Sequence, residues 1–165
     1  MALRLEAADK TNWREMIALK LREGQEKFVA PAIRSLAMCY VRAWGDEYDY
    51  LPFVIRDDNA VLGYVTLVCD PESADDYWID DIMIDASQQG KGYGRIALDI
   101  VLRLIASKYP HCEKIRLTCY RDNLNAAALY LSVGFVKTGR VTPEFEEPEY
   151  ALSGPALEKF RNKIN

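Results

Sequence analysis

The amino-acid sequence predicts one α/β domain over residues 1–165, in which helices flank a mixed sheet of about seven strands. The length of 165 residues fits a single domain. Half of the residues are apolar and 28% are charged, as in an ordinary soluble globule. Consecutive strand patterns precede residue 90, and strand and helix patterns alternate after it, which favours a mixed sheet between helices.

The first half of the chain begins with an alternating strand pattern over residues 2–8 and continues with helical periodicity. Helices are predicted at 11–22 and 31–44, the second with Pro31 in its permissive first turn. Three strand patterns follow, and the polar turn between the first two indicates a β-hairpin. These three strands are predicted at 51–56, 61–69 and 77–85.

The second half of the chain contains two predicted helices. The helix at 94–108 has apolar residues on more than one face, so we expect it to be buried between layers. A shorter helix at 124–133 ends at Gly134, a residue typical of helix C-termini. Strands are predicted at 114–120, 135–139 and 149–152.

Charge, hydropathy and cysteine usage narrow the function classes. The formal net charge of −4 disfavours unspecific binding to nucleic acid or to an anionic membrane, and it favours a small cationic partner. No apolar run approaches the ~20 residues needed to span a bilayer, and the N-terminus lacks the apolar core of a signal peptide. The four cysteines show no metal-binding spacing and the chain has one histidine, so we expect no metal site and four thiols in a reducing cytoplasm.

Gly90, Gly92 and Gly94 lie between the end of a strand and the start of a helix. Glycine adopts positive φ at little cost, and a helix N-terminus attracts anions, so this turn indicates a phosphate-bearing cofactor. Residues 92–97 also match the dinucleotide fingerprint G-x-G-x-x-G/A, but the next strand has no acidic residue for a ribose. The chain has no P-loop motif, and a purely structural turn scarcely needs three glycines in five positions.

Two motifs resemble those of the GNAT family of acyl-CoA-dependent N-acetyltransferases. Residues 89–94, QGKGYG, resemble the family motif Q/R-x-x-G-x-G/A, with the apolar Ile84 five positions earlier. Residues 123–135, NLNAAALYLSVGF, resemble the motif N-x-x-A-x-x-L-Y-x-x-x-G-F. The resemblance covers about residues 61–139. It implies a mostly antiparallel sheet, acetyl-CoA as cosubstrate and, as in many members, a homodimer formed through C-terminal strands.

By this resemblance, the cofactor lies along the strand before the turn, which splays from its neighbour. Backbone groups of Ile82, Met83 and Ile84 would hold the pantetheine arm. Lys91 and Arg95 could add positive charge, although Lys91 can equally be solvated. The pyrophosphate would be bound by the consecutive amides of Gln89, Gly90, Lys91, Gly92, Tyr93, Gly94 and Arg95.

The second motif places Asn123 and Tyr130 on one helical face. Acetyl transfer expels a thiolate, whose conjugate acid has a pKa of ~8.5, and a tyrosine with a pKa of ~10 is a suitable general acid. Periodicity alone would make Tyr130 a core residue. The resemblance implies instead that Tyr130 is the catalytic acid and that Asn123 contacts the cofactor.

Asp80 and Asp81 interrupt an apolar strand, where acids are disfavoured, so at least one is expected to face a cavity; the alternative is a solvated edge. Strict alternation would place Asp80 with Ile82 on one face and Asp81 with Ile79 on the other. The position of Asp80 resembles that of an acid in polyamine acetyltransferases. This resemblance implies a base or substrate contact for Asp80 and substrate binding for Asp81.

An ordinary aspartate is a poor direct base for an amine, because an alkylammonium of pKa ~10.4 lies ~6 units above an aspartate of pKa ~3.9. Asp80 therefore needs a pKa raised by burial, or it passes the proton through water, or it attracts and orients the cation. From the sequence we favour the last two. The acidic runs at 46–49 and 70–76 either add a negative field around the site or are solvated loops.

Other polar and aromatic residues are expected outside the site. His111 follows a proline and is expected at the surface, whereas Trp13 and Trp44 lie in helical patterns and are expected in the core. A late acidic stretch is expected to be a solvated loop; its members are Glu144, Glu146, Glu147 and Glu149.

Together these features predict an acetyl-CoA-dependent N-acetyltransferase acting on a primary amine, with a polyamine or diamine as first choice. No cysteine or serine lies in a nucleophile motif, so we expect direct attack of the amine on the thioester in a ternary complex. Alternative substrates are an aminoglycoside-like antibiotic or a protein N-terminus. An alternative of a different class is a non-catalytic acyl-CoA-binding sensor.

Overall fold

A seven-stranded mixed sheet forms the centre of the computed structural model, which describes residues 3–142 and 147–161. The strands are β1 (Arg4–Ala7), β2 (Asp49–Arg56), β3 (Val61–Cys69), β4 (Tyr77–Ile84), β5 (Lys114–Thr118), β6 (Val136–Val141) and β7 (Pro148–Ser153). Their spatial order is β1-β2-β3-β4-β5-β7-β6, with β4 and β5 parallel and the other neighbours antiparallel. The predicted mixed, mostly antiparallel sheet is confirmed.

The helices in the described residues are α1 (Trp13–Ile17), α2 (Ala32–Val41), α3 (Tyr93–Lys108), α4 (Leu124–Val133) and α5 (Gly154–Arg161). α1 is much shorter than the predicted helix at 11–22. The chain leaves the helix because the Lys20 amide donates to the Asp85 carboxylate at 2.8 Å and the Ala86 amide donates to the Lys20 carbonyl at 2.7 Å. We name the irregular segment that follows the 19–31 loop. α5 had no counterpart in the sequence prediction.

Apolar residues cover both faces of the sheet. On one face α3 packs with α5 and buries Leu98 and Leu102 completely. On the other face, α1 and α2 cover a smaller cluster that includes Met16 and Tyr64. The burial predicted for α3 holds for one side only, because Ile96 on its outer side is 43% exposed.

β4 and β5 separate after their first two residue pairs. Tyr77 pairs with Ile115 and Trp78 pairs with Arg116, and no other described strand pairs with this edge of β4 beyond Trp78. On its other edge, β4 stays paired with β3 as far as Ile84. The separation leaves an opening between the C-terminal half of β4 and the segment that joins β5 to α4.

A β-bulge at Asp80 changes the two faces of β4. Thr66 of β3 pairs with Asp81, the next residue of β3 pairs with Ile79, and Asp80 therefore has no partner. Bulges re-aim side chains and are common beside active sites. The expectation of strict alternation is wrong here, because Ile79 and Ile82 pack against the same core cluster.

Candidate active site

A cavity of about 270 Å³ occupies the opening between β4 and the β5–α4 segment. The 19–31 loop closes one side of it with Gln25, Phe28 and Val29. The predicted site residues that line the cavity are Asp80, Asp81, Ile82, Met83, Ile84, Gln89, Gly94, Asn123 and Tyr130. The remaining predicted residues do not line it and belong to the adjoining turn; they are Gly90, Lys91, Gly92, Tyr93 and Arg95.

The glycine turn presents a short row of unpaired backbone amides. Gly90 and Gly92 both have φ of 82°, a left-handed conformation that favours glycine. The amides of residues 90–94 have no acceptor among the residues that the structure describes. The flanking amides are already used, since Gln89 donates to the Asp85 carbonyl and Arg95 to the Gly92 carbonyl, both at 3.1 Å. The row of unpaired amides is therefore shorter than the stretch from Gln89 to Arg95 that was predicted to bind the pyrophosphate.

The side chain of Gln89 fixes the turn against two neighbouring segments. Its Nε2 donates to the Ile84 carbonyl at 3.0 Å and to Oε1 of Gln25 at 2.8 Å, and the Gln25 amide nitrogen lies 3.2 Å from Oε1 of Gln89. The Arg22 guanidinium also donates to the Gln89 carbonyl at 3.4 Å. Gln89 thus joins the end of β4, the turn and the 19–31 loop.

Two cations flank the unpaired amides. Nζ of Lys91 donates to Oε1 of Gln88 at 2.9 Å, and Nη1 of Arg95 donates to the Ser132 hydroxyl at 2.7 Å. Both side chains are exposed, and neither is paired with a carboxylate in the described part of the chain. Free amides, a helix N-terminus and two such cations fit a phosphate-bearing ligand.

Tyr130 is both a core residue and a cavity-lining residue. It is 8% exposed, its ring packs against Phe135 and Tyr150, and it also lines the cavity. Burial raises the pKa of its hydroxyl well above the ordinary value, so the phenol stays protonated at neutral pH. Asn123 lines the same cavity and caps α4, because its side-chain oxygen accepts from the Ala126 amide at 3.3 Å.

Asp80 is a partly buried carboxylate without a hydrogen-bond partner in the described residues. Burial, and then the negative charge of Asp81, raise the pKa of Asp80 to about 7. Glu147 acts in the same direction, whereas the Arg34 guanidinium opposes the shift. A direct base for an amine needs a pKa well above that of an ordinary aspartate. The fold gives Asp80 most of this increase.

Asp81 differs from its neighbour because it is held by α2. The hydroxyl of Ser35, a residue only 1% exposed, donates to Oδ2 of Asp81 at 2.6 Å. Burial raises the pKa of Asp81, while this hydrogen bond and the charge of Arg34 lower it. Asp81 therefore lines the cavity while its Oδ2 is hydrogen-bonded to Ser35. This hydrogen bond connects β4 to α2.

Glu147 is a site neighbour that sequence reasoning missed. Its Oε2 accepts from the Thr118 hydroxyl at 2.5 Å, and its charge adds to burial in raising the pKa of Tyr120. Thr118 and Tyr120 both line the cavity. Glu149 is also not solvated, being 6% exposed and 3.3 Å from Arg116. The solvated loop expected here is thus wrong for these two residues, and Glu144 and Glu146 lie outside the described residues.

Other expected features fall away from the cavity. The acidic runs at 46–49 and 70–76 lie near the N-terminal end of β4 and contribute no residue to the cavity lining. His111 is exposed, as predicted, but Trp44 is 36% exposed rather than a core residue. The described residues contain no cluster of His, Cys, Asp and Glu suited to a metal ion. None of the described helices is long and apolar enough to cross a membrane.

Comparison with known proteins identifies the family of the chain. Residues 13–135 match the Acetyltransferase (GNAT) family. The chain belongs to this family. It is an acyl-CoA-dependent N-acetyltransferase with acetyl-CoA as its cosubstrate, and the free amides at residues 90–94 fit the phosphates of that molecule.

The chain is also similar to acetyltransferases of small polycations. It is 26% identical over 146 residues to the spermine/spermidine N(1)-acetyltransferase of Bacillus subtilis (strain 168), which covers 86% of this chain and 92% of that protein. The spermidine N-acetyltransferase of Vibrio cholerae, solved with CoA and spermine, aligns with a TM-score of 0.71 and 21% identity. The alignment covers 94% of this chain and 98% of that chain. The structure of an aminoglycoside acetyltransferase in complex with coenzyme A aligns with a TM-score of 0.73 and 19% identity. That alignment covers 97% of this chain and 99% of the other chain. The two structures share the fold of this chain.

Proposed function

We propose that this enzyme acetylates a primary amine of a polyamine or diamine by direct transfer in a ternary complex. The observation that carries the proposal is Asp80, a partly buried carboxylate with no partner among the described residues, which lines the cavity where β4 and β5 separate. A buried acid left unpaired is costly to a fold, and such groups cluster at functional sites. A cationic substrate would supply the missing partner.

The cosubstrate would be held along the separated edge of β4 and at the glycine turn. The unpaired amides of residues 90–94 would bind its phosphates, with Lys91 and Arg95 adding positive charge. Gln89 would hold the turn in place, since its own backbone amide and side chain already form hydrogen bonds within the protein. Backbone groups of residues 82–84 and the Asn123 side chain would contact the pantetheine arm. When bound, acetyl-CoA supplies the activated acetyl group.

Asp80 would take the proton from the substrate ammonium. A pKa of about 7 reduces the mismatch with an alkylammonium from ~6 units to ~3 units, so proton transfer at neutral pH becomes accessible. Asp81, whose carboxylate accepts from the Ser35 hydroxyl, would lie next to the incoming cation. Both acids favour a cationic acceptor, because each loses part of its desolvation cost when an ammonium arrives.

Tyr130 would donate a proton to the departing thiolate. Burial keeps its phenol protonated, and the side chain lines the same cavity as Asp80. A covalent route through cysteine has little support, because burial raises the pKa of the cavity-lining Cys119 thiol to about 11. A protonated thiol is a weak nucleophile, which favours direct attack of the amine.

The acceptor class can be tested with a panel of amines. Thiol release from acetyl-CoA would be measured with spermidine, putrescine, an aminoglycoside and a peptide with a free N-terminus. We expect the highest kcat/KM with spermidine or putrescine. A higher value with the aminoglycoside or the peptide would overturn the polyamine assignment. Tight acetyl-CoA binding without turnover of any amine would identify a sensor instead.

A further inference from the structure

An ammonium group of the protein itself lies beside residues that line the cavity. Nζ of Lys27 forms an ion pair with the Asp122 carboxylate. Lys27 belongs to the 19–31 loop, and Asp122 belongs to the segment between β5 and α4. The nearby residues Phe28 and Tyr120 line the cavity, so the ion pair joins two segments that contribute to the cavity lining.

The surroundings of this ammonium are those of an alkylammonium-binding site. Nζ of Lys27 lies 4.7 Å from the centroid of the Phe28 ring, and the Phe28 and Tyr120 ring centroids are 6.0 Å apart. A carboxylate beside an aromatic face binds cations through charge and through the ring quadrupole. The ammonium of Lys27 has the same chemistry as the ammonium of an aliphatic amine.

The ion pair is weak enough to be exchanged. The side chains of Lys27 and Asp122 are 59% and 60% exposed, and ion pairs at such exposure add little to stability. Asp80 and Asp81 line the cavity, and Asp122 directly precedes Asn123, which also lines it. A substrate with several ammonium groups could therefore present one to Asp80 and another to Asp122.

We propose that Asp122 is a specificity-determining residue that binds a distal ammonium of the acceptor, and that Lys27 occupies this position until the acceptor arrives. This inference rests on the proposed polyamine function. Lys27 competes with the distal ammonium of the acceptor for Asp122. The two partners of the ion pair therefore have opposite effects on acceptor binding. A purely structural link between the two segments would give both partners the same effect.

The test compares Lys27→Met and Asp122→Asn in steady-state kinetics at saturating acetyl-CoA. We expect Asp122→Asn to raise KM for spermidine about fivefold and Lys27→Met to lower it by about threefold, as for an exposed ion pair. KM for the monoamine 1-aminobutane should change by less than about twofold in both variants, since it has no distal ammonium. In the double variant, the effect of Lys27→Met should vanish because its partner is absent.

Asp46→Asn is the matched control, since it removes an exposed carboxylate that pairs with Arg42 at 2.9 Å outside the cavity. It should leave KM for spermidine unchanged. A change of KM in the same direction in both single variants, or an equal change for the monoamine, would overturn the role of Asp122 while leaving the proposed function intact. A wild-type enzyme that does not acetylate spermidine would instead refute the proposed function, and this role with it.

Discussion

Replacing Asp80 with asparagine should stabilise the fold at neutral and alkaline pH, although it should damage catalysis. The folded protein holds the pKa of Asp80 at about 7, mainly through burial, above the value of ~3.9 for an aspartate in an unfolded chain. The native state therefore binds this proton more tightly than the unfolded state. Relative to asparagine, Asp80 does not lower the free energy of unfolding below about pH 4. It lowers this free energy increasingly as the pH rises through about 7.

The size of the effect follows from the pKa difference. A shift of about 3 units, at ~1.4 kcal/mol per unit, sets an upper limit of about 4 kcal/mol above pH 7. Relaxation around the carboxylate and its coupling to Asp81 reduce this figure, so we expect about 2–4 kcal/mol at pH 8. At pH 5 the difference should fall to about 1 kcal/mol.

Urea denaturation of the ligand-free protein at pH 5 and pH 8 measures this directly. Asp46→Asn serves as the control, because that carboxylate is exposed, and its effect should be small at both pH values. A pH-independent effect of Asp80→Asn, or a loss of stability at pH 8, would refute the inference that Asp80 is buried at a cost.

Two further predictions concern Tyr130 and the glycine turn. Tyr130→Phe should lower kcat by roughly 10²-fold or more with little change in acetyl-CoA affinity, because it removes a proton donor and keeps the ring. Steady-state kinetics and calorimetric CoA titration separate the two effects, and an unchanged kcat would exclude the acid role. Gly92→Ala should lower the free energy of unfolding by about 1 kcal/mol because φ is 82°, whereas Gly94→Ala should not, since its Cβ would lie 3.7 Å from Leu129 in ordinary contact. Equal losses in urea denaturation would contradict this contrast.

Local sequence patterns were sufficient for the glycine turn, α3 and α4, although they did not predict α5. The glycine turn, α3 and α4 each depend on residues close together in the chain, and α4 has the predicted bounds, with Gly134 at φ of 117° after its last turn. The first half was harder, because the helical pattern over 11–22 competes with hydrogen bonds to a distant segment. The bond from the Lys20 amide to Asp85 spans 65 residues and is invisible to periodicity.

The chemistry of the site depends on tertiary structure even more strongly. The sequence indicated Asp80, but its raised pKa arises from burial and from the charge of Asp81, and the bulge that sets the direction of the Asp80 side chain depends on the pairing of β4 with β3. Glu147 approaches the site only because it directly precedes β7, which pairs with β5. Its acidic neighbours in the chain resemble an ordinary solvated loop, and no sequence signal distinguished it.

The central claim, that Asp80 deprotonates the acceptor amine, is tested most directly by the pH dependence of kcat/KM for spermidine at saturating acetyl-CoA. The wild-type enzyme should show a limb that rises with pH through about 7, where Asp80 loses its proton in the folded protein. Asp80→Asn should lose this limb, and its rate should fall by roughly 10²-fold or more. An Asp80→Asn enzyme that keeps both the limb and the rate would show that another group takes the proton.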